Sequence, residues 1–280
     1  MGRTIFQSAC GASFGNVTIS DLDYADDVAI LAEIMQALHL ALQIMDSETR
    51  PLGLQISWQK TKVQSLSDYQ LPPTNLMIES NTVEVVDKFT YLGSTISSDC
   101  RNTADIKIRI GRSSAAMASL SHIWSNPRIS TDTKIRLYNS LVLSVLLYGA
   151  EERHLDTFDQ KCLRRILGFR WYDFVSNSTV RQRTGQPPVS HKIRQARLRL
   201  FGHLARADPP LEAASLLRAT TPAGWSRPRG RPRRRWGDQL NADFSTVGLD
   251  VATAWQRAQD RTGWETTWRG ATLPGACVPE

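Results

Sequence analysis

Residues 21–30 read DLDYADDVAI, a short apolar run that carries four acids, with Asp26 adjacent to Asp27. Adjacent carboxylates repel each other and resist burial, so a hydrophobic stretch that contains them needs a compensating group, most simply a divalent cation. The alternative is an exposed hairpin tip, where water solvates both acids. The run predicts a strand, an acidic turn and a second strand.

The residues that follow predict both a helix and strands, so the first hundred residues are expected to have a mixed α and β structure. Apolar residues recur at helical spacing after the turn, and the predicted helix ends near Pro51 and Gly53. The next stretch alternates enough to predict a strand around Leu54 and Ile56, and residues 82–96 predict a β-hairpin or strand pair. The apolar helical positions are Ile34, Leu38, Leu42 and Met45.

From Asp105 onward the pattern is helical. Residues 104–124 and 130–149 predict two helices, the second with Ser130 or Thr131 as its N-cap, and residues 158–169 and 190–206 continue the pattern. The expected buried face of the second helix is Ile135, Tyr138, Val142 and Val145. The last helix is expected to bury Ile193, Ala196, Leu200 and Leu204, and to carry a basic stripe of Lys192, Arg199 and Arg206.

Charge is unevenly distributed along the 280 residues. Residues 1–150 hold 12 Lys and Arg against 14 Asp and Glu, whereas residues 151–280 hold 22 against 13, so the net charge of +7 comes from the second half. Twenty of those 22 basic residues are arginine, whose planar fork suits phosphates and base edges. The asymmetry predicts a polyanionic partner for the C-terminal half, and a solvated basic surface is the alternative.

Cysteine spacing and hydropathy exclude two classes of protein. The four cysteines form no CxxC pair and no Cys/His cluster with zinc-finger spacing, which argues against a disulfide framework and a structural zinc site. The longest apolar stretch, residues 140–150, is too short to span a bilayer, and the N-terminus lacks the apolar core of a signal peptide. We therefore expect a nuclear or cytoplasmic protein that is neither secreted nor inserted in a membrane.

Several motifs occur in an order that resembles one family. YADD (residues 24–27) is followed by LGLQISWQKTK (52–62) and FTYLG (89–93), and then by TKIRLYNSLVLSVLLYGAE (133–151). This order and spacing resemble the reverse transcriptases of non-LTR (LINE-type) retrotransposons. The segments CLRRILGFRW, RLFGHLAR, GRPRRRW and AQDRTGW resemble their C-terminal region, so the resemblance extends from about residue 16 onward.

The resemblance implies an α+β fold: a truncated palm of a small antiparallel sheet plus helix, a helical thumb, and a basic, mostly helical C-terminal region. The expected organisation is a partial palm with the YADD turn and a primer-grip-like hairpin (1–100) and thumb-like helices (101–150). A basic helical region (151–218), a Pro/Gly/Arg-rich linker (219–237) and a C-terminal helical segment (238–280) follow.

The resemblance also implies site residues. The polymerase reaction uses two divalent ions, one activating the primer 3′-hydroxyl and one neutralising the leaving phosphates. By resemblance, Asp26 is the principal ligand for Mg²⁺ or Mn²⁺, Asp27 is its neighbour, and Lys60 assists the departure of pyrophosphate. Tyr24 at the turn and Phe89, Tyr91 and Gly93 of the hairpin are the implied nucleic-acid contacts. The implied partners are an RNA template and a DNA primer.

The chain departs from the family pattern in front of the acidic turn. The family's other essential aspartate and its fingers precede YADD, and only 23 residues stand before Tyr24 here. Asp21 and Asp23 lie on the same predicted strand as the pair and cannot easily replace that aspartate. A shortened stretch at residues 148–158 suggests a deletion. We therefore expect nucleic-acid binding without polymerisation by the isolated chain.

The arginine-rich segment at residues 219–237 predicts an extended linker. Pro228 to Pro232 match the core of an AT-hook, in which Arg-Gly-Arg-Pro lies in a narrow A·T minor groove of genomic DNA. A generic phosphate-binding arm and a nuclear localisation signal are the alternatives. The arginines expected to contact nucleic acid are Arg194, Arg197, Arg199, Arg229, Arg231, Arg233, Arg234 and Arg235.

Three functional interpretations follow from these motifs. The first is a fragment of a LINE-type RNA-directed DNA polymerase, the second a nucleic-acid-binding protein without catalysis, and the third a relic without selected function. The oligomeric state stays open. The tryptophans are expected to pack in the core more than to stack on bases, namely Trp171, Trp225, Trp236, Trp255, Trp264 and Trp268.

Overall fold

The computed structural model describes residues 8, 10–66, 75–78, 80–148, 154–208, 212–219 and 235–270. The chain divides into two compact units. The first comprises the described residues of Met1–Phe89, Ser97–Cys100 and Leu204–Gly237, and the second those of Thr90–Ile96, Arg101–His203 and Asp238–Glu280. Each unit is a mixture of segments distant in sequence.

The first unit contains seven short strands, the helix Met35–Thr49 and the helix Glu212–Arg218. The strands are β1 (Ala12–Phe14), β2 (Val17–Ile19), β3 (Asp21–Tyr24), β4 (Asp27–Ile30), β5 (Lys62–Val63), β6 (Leu76–Ile78) and β7 (Asn81–Val85). Helix α1 (Met35–Thr49) follows β4 and continues into a 3₁₀ turn at Arg50–Leu52. The predicted order of strand, acidic turn, strand and helix is confirmed.

The strands form small separate sheets instead of one antiparallel sheet. β1 pairs with β2 and β3 with β4, both antiparallel, while β7 lies between a parallel β5 and an antiparallel β6. A small core of Leu42, Val63, Ile78 and Val83 joins α1 to this three-stranded sheet. The parallel β5–β7 pair differs from the expected antiparallel palm sheet. Alternation within each strand does not show which distant strand it pairs with or in which direction.

The predicted strand around Leu54 and Ile56 is wrong. Gly53 has φ +77°, which ends the 3₁₀ turn, and the following residues stay outside the sheets with Leu54 exposed. The strand begins later, at Lys62, where Glu84 of β7 lies opposite. Alternation alone does not make a strand when no partner edge is within reach.

A hairpin of β8 (Lys88–Tyr91) and β9 (Ser94–Ser97) follows β7. Leu92 and Gly93 both have positive φ, 47° and 81°, which is the signature of a two-residue type I′ turn. Leucine is strained in this conformation, so contacts elsewhere must hold the turn. The predicted hairpin within residues 82–96 is confirmed.

Helices make up most of the second unit, which also includes the tip of the β8–β9 hairpin, and one of the later helices, Glu212–Arg218, belongs to the first unit. They are α2 (Thr103–Ser119), α3 (Ser121–Ser125), α4 (Thr131–Leu137), α5 (Ser144–Leu147), α6 (His154–Ile166), α7 (Asn177–Thr184), α8 (Val189–Ala205), α9 (Glu212–Arg218), α10 (Trp236–Ser245), α11 (Val251–Ala258) and α12 (Arg261–Gly270). None of the helices in the described ranges is long and apolar enough to cross a bilayer.

A π-helical turn at Tyr138–Leu143 joins α4 to α5. Ser130 caps α4 as predicted, its hydroxyl accepting from the Thr133 amide at 3.2 Å. Ile135, Tyr138 and Val142 are buried as expected, but Leu146 is buried where Val145 was predicted. The reason is that a π turn advances one extra residue, which rotates the buried face by one position.

Helix α8 buries a different face from the one its sequence predicts. Ile193 and Leu204 are buried as expected, whereas Ala196 and Leu200 are exposed. Leu198 and Phe201 take their place, because the Phe201 ring packs 4.8 Å from Phe244 and 5.4 Å from Trp264. Apolar residues occur on several faces of this helix, and the packing of the Phe201 ring determines which face is buried.

Candidate nucleic-acid interface

The acidic turn is an exposed hairpin tip. Tyr24 pairs opposite Asp27, Ala25 has φ +56°, and Tyr24, Asp26 and Asp27 are all exposed. Water therefore solvates both carboxylates, and no buried charge demands a cation. The exposed-tip alternative describes this turn, so burial in apolar surroundings gives no argument for a cation here.

The acids at the tip supply only part of a two-ion site. Among the described residues no group of three or more His, Cys, Asp or Glu is placed to hold a metal ion. Asp23 lies on β3, where partial burial and then the neighbouring Asp21 raise the pKa of its carboxyl. Asp26 and Asp27 alone do not fit a bridged pair of divalent ions, and their role as Mg²⁺ or Mn²⁺ ligands stays a prediction.

Lys60 lies in an exposed turn of the first unit. Its backbone N–H donates to the Ser57 carbonyl at 2.9 Å, and its side chain is exposed. The nearby Lys62 instead pairs with Glu84 at 2.7 Å across β5 and β7. Lys60 therefore stays a predicted pyrophosphate contact with no structural test.

Contacts within the second unit hold the tip of the β8–β9 hairpin. The Tyr148 hydroxyl donates to the Leu92 carbonyl at 2.7 Å, and the Arg109 guanidinium lies 3.4 Å from the Gly93 carbonyl and 4.8 Å from the Tyr148 ring. Arg109 is fixed in turn by Asp105 at 2.5 Å. These contacts stabilise the strained Leu92, and Phe89, Tyr91 and Gly93 stay predicted nucleic-acid contacts.

Two of the three arginines predicted on α8 are used inside the fold. Arg194 and Arg197 pair with the buried Asp243 at 3.3 Å and 2.8 Å, and Arg197 also donates to Gln239 at 2.7 Å. Arg199 is exposed and lies 5.6 Å from the Trp268 ring. Of the linker arginines, Arg235 is described and exposed, whereas Arg229, Arg231, Arg233 and Arg234 lie outside the described residues.

A buried polar network lies beneath α6 and α7. The Tyr138 hydroxyl donates to Asp159 Oδ1 at 2.5 Å, and Arg181 pairs with Asp159 Oδ2. Burial and then Asp159 raise the pKa of Tyr138, and burial raises the pKa of Asp159 against the opposing hydrogen bond from Tyr138 and charge of Arg181. Lys192 donates to Gln186 at 2.7 Å, and burial lowers the pKa of its ammonium.

An open groove of about 1300 Å³ lies beside this network, and we call it the α6–α7 groove. Among the described residues, five basic side chains line it against one acidic side chain, together with four aromatic rings. The basic residues are Lys161, Arg164, Arg165, Arg170 and Arg181, the acid is Asp156, and the aromatics are Phe158, Phe169, Trp171 and Phe174. This combination of cations and rings is typical of nucleic-acid-binding surfaces.

The basic residues of the groove divide into two kinds. Arg164 donates to the Val175 carbonyl at 2.6 Å and to Asn177 at 2.9 Å, and Arg181 is paired with Asp159, so both shape the wall. Lys161 and Arg165 are exposed and have no ion pair with any described residue. Arg170 is exposed as well and donates a hydrogen bond to the Tyr172 hydroxyl at 2.8 Å. Three positively charged side chains therefore face solvent without an ion pair to any described residue.

Sequence reasoning missed the aromatic part of this groove. Trp171, predicted to pack in the core, is 88% exposed, and Phe174 three residues later is 92% exposed. Trp264, by contrast, is buried as predicted, with its indole N–H donating to the Leu198 carbonyl at 2.8 Å. Gly168 is the sequence signal that could have shown this exposure, because a glycine at this position commonly ends a helix and the residues after it follow no periodic apolar pattern. In the structure Gly168 lies just after α6 and has φ +73°.

The one thiol in the groove is unsuited to nucleophilic chemistry. Cys162 is buried, and burial followed by the nearby Asp159 raises the pKa of its thiol to about 12. It therefore stays protonated at neutral pH, and a thiol is a weak nucleophile. Cys162 is therefore not a candidate nucleophile.

Comparison with known proteins connects the chain to transposons. It is 27% identical over 268 residues to a Caenorhabditis elegans protein described as a putative uncharacterized transposon-derived protein, and the match covers 88% of this chain and 94% of the relative. A family model described as Domain of unknown function (DUF6451) matches residues 116–148, which include the π-helical turn. No solved structure matches. The chain is similar to a transposon-derived protein over most of its length, and the reverse transcriptase part of the resemblance stays a prediction.

Proposed function

We propose that this chain binds nucleic acid through the α6–α7 groove and derives from the C-terminal part of a LINE-type reverse transcriptase. The observation that carries the proposal is the set of exposed cations Lys161, Arg165 and Arg170, which line one groove and form no ion pair with a described residue. Phosphates are the polyanions that such a set attracts, and arginine binds them with two parallel hydrogen bonds. The similarity to a transposon-derived protein supports the part of the proposal that derives the chain from a transposon.

The groove, more than the arginines of α8, supports the proposal. Arg194 and Arg197 both pair with Asp243, which holds their side chains inside the fold and leaves them less available to a phosphate than the exposed cations of the groove. Lys161 and Arg165 stand four residues apart on α6, which places them on the same face of the helix. Successive phosphates of one strand can reach both side chains.

Salt dependence tests this function. We expect the full-length chain to bind a labelled 20-nucleotide strand in a fluorescence anisotropy titration. The logarithm of the association constant should fall linearly with the logarithm of the salt concentration, and the slope reports the number of phosphate contacts. The double variant Lys161→Gln/Arg165→Gln should lose two phosphate contacts, which reduces that slope by about 1.4 for a single strand.

The matched control is Lys107→Gln/Arg112→Gln, which removes two exposed cations of α2 in the same unit but outside the groove. This control should keep the slope of the wild type. An unchanged slope and affinity in Lys161→Gln/Arg165→Gln would show that the groove is not the binding surface.

The YADD hairpin, with Asp26 and Asp27 at its tip, raises polymerisation as an activity that must be tested separately. We expect no nucleotide incorporation by the chain on a primed RNA template with Mg²⁺ or Mn²⁺, because two exposed carboxylates supply only part of a two-ion site. The measurement is primer extension, with an active reverse transcriptase as positive control. Incorporation that disappears in Asp26→Asn would contradict this expectation.

A further inference from the structure

The segment Phe169–Phe174 presents two rings to solvent at one end of the α6–α7 groove. Trp171 and Phe174 are the most exposed large hydrophobic residues in the described part of the chain, at 88% and 92%. Both line the groove together with Lys161, Arg165 and Arg170. Exposed rings beside cations indicate a binding site, because a ligand that covers the rings gains the free energy of burying their apolar surface.

The backbone holds this arrangement at a cost. Phe174 has φ +46°, a left-handed conformation that phenylalanine rarely adopts, at the end of the 3₁₀ turn Trp171–Asp173. Asp173 closes the turn by accepting from the Arg170 amide at 2.6 Å, and Ser176 caps α7 directly afterwards. Glycine would fit position 174 without strain, so the ring at this position is not explained by backbone geometry.

Charge complementarity identifies the class of occupant. A purely apolar peptide would leave Lys161, Arg165 and Arg170 without partners, whereas a strand of nucleic acid offers phosphates to the cations and flat base faces to the rings. A duplex cannot use the rings, since its base faces are covered by their stacked neighbours. Unpaired bases are free to stack on aromatic side chains.

We propose that Trp171 and Phe174 form a stacking platform for the unpaired bases of single-stranded RNA or DNA, with the phosphates held by Lys161, Arg165 and Arg170. The proposal rests on the proposed function and names the form of nucleic acid that the groove takes. Stacking on rings is tolerant of base identity, so the site selects strandedness and not sequence.

The test compares strands with duplexes on the full-length chain. Anisotropy is measured with a 12-nucleotide RNA, the same sequence as DNA, and a blunt 12-base-pair duplex. Trp171→Ala and Phe174→Gly are each expected to lower affinity for both single strands by about tenfold. Affinity for the duplex should stay at the wild-type value. Trp171→Phe keeps a ring and should retain most of the single-strand affinity.

Two controls separate stacking from folding. Phe14→Ala removes a half-exposed ring of β1, outside the groove, and should leave all affinities unchanged. The thermal midpoint of Phe174→Gly should equal or exceed that of the wild type, because glycine relieves the left-handed strain. A loss of single-strand binding in a variant that is no less stable assigns the loss to the ring.

The outcomes distinguish the two proposals. If the wild type binds none of the three oligonucleotides, the proposed function fails and the platform with it. If Lys161→Gln/Arg165→Gln weakens binding but Trp171→Ala and Phe174→Gly do not, only the platform is overturned. Equal losses on strand and duplex, or tighter ring-dependent binding to anionic vesicles, would overturn it too. A loss of affinity that is larger for single-stranded RNA, for single-stranded DNA or for both than for the duplex supports the platform. It also identifies which kind of strand the site binds.

Discussion

Replacing Asp159 by alanine is expected to lower the free energy of unfolding by about 3–5 kcal/mol, because a buried hydroxyl and a guanidinium lose their shared acceptor. Asp159 is 1% exposed, and it accepts the Tyr138 hydroxyl at 2.5 Å while pairing with Arg181. Tyr138 belongs to the π-helical turn and is fully buried. Water cannot replace the carboxylate without opening the packing around both groups.

Urea unfolding followed by circular dichroism measures this loss. Tyr138→Phe is the matched control, since it removes a single hydroxyl and is expected to cost about 1 kcal/mol. The double variant Asp159→Ala/Arg181→Met should recover part of the loss, because no uncompensated cation is left near the core. If Asp159→Ala costs no more than Tyr138→Phe, the network does not stabilise the second unit in this way.

Local signals predicted the elements whose partners lie nearby. The hairpin around Ala25 and the cap at Ser130 follow from turn and capping chemistry within a few residues, and the structure has both. The strand at Leu54 failed because pairing depends on an edge supplied by β7, about thirty residues later in the chain. The buried face of α5 was predicted wrongly because the spacing of apolar residues does not reveal the π-helical turn before this helix.

The candidate site was harder to predict than the fold. The excess of arginine in the second half predicted a polyanionic partner, but composition does not say which arginines face solvent. Asp243 pairs with both Arg194 and Arg197 from a helix more than forty residues away, and Asp159 on α6 pairs with Arg181. Trp171 was assigned to the core because a tryptophan is usually buried, and only the turn geometry after α6 brings it into solvent.

Replacing Asp243 by alanine is expected to lower the free energy of unfolding by about 2–4 kcal/mol, since both arginines stay partly buried without their carboxylate. Asp243 on α10 is 3% exposed and holds Arg197 through both of its oxygens, at 2.8 Å and 3.0 Å. The arginine side chains keep some contact with water, which makes the expected loss smaller than for a fully buried pair. Thermal and urea unfolding measure it, and Arg199→Ala, which removes an exposed arginine of the same helix, is the matched control with an expected loss below about 0.5 kcal/mol.

The same variant separates two roles for the α8 arginines. If Arg194 and Arg197 bind nucleic acid, as their sequence pattern predicts, removal of Asp243 frees their charge and strengthens binding to an oligonucleotide. If they fasten α8 to α10, as their contacts indicate, stability falls and affinity per folded molecule stays close to that of the wild type. We expect the second result, because the groove cations Lys161 and Arg165 carry the binding in our proposal. Stronger oligonucleotide binding by Asp243→Ala at unchanged stability would return the interface to α8.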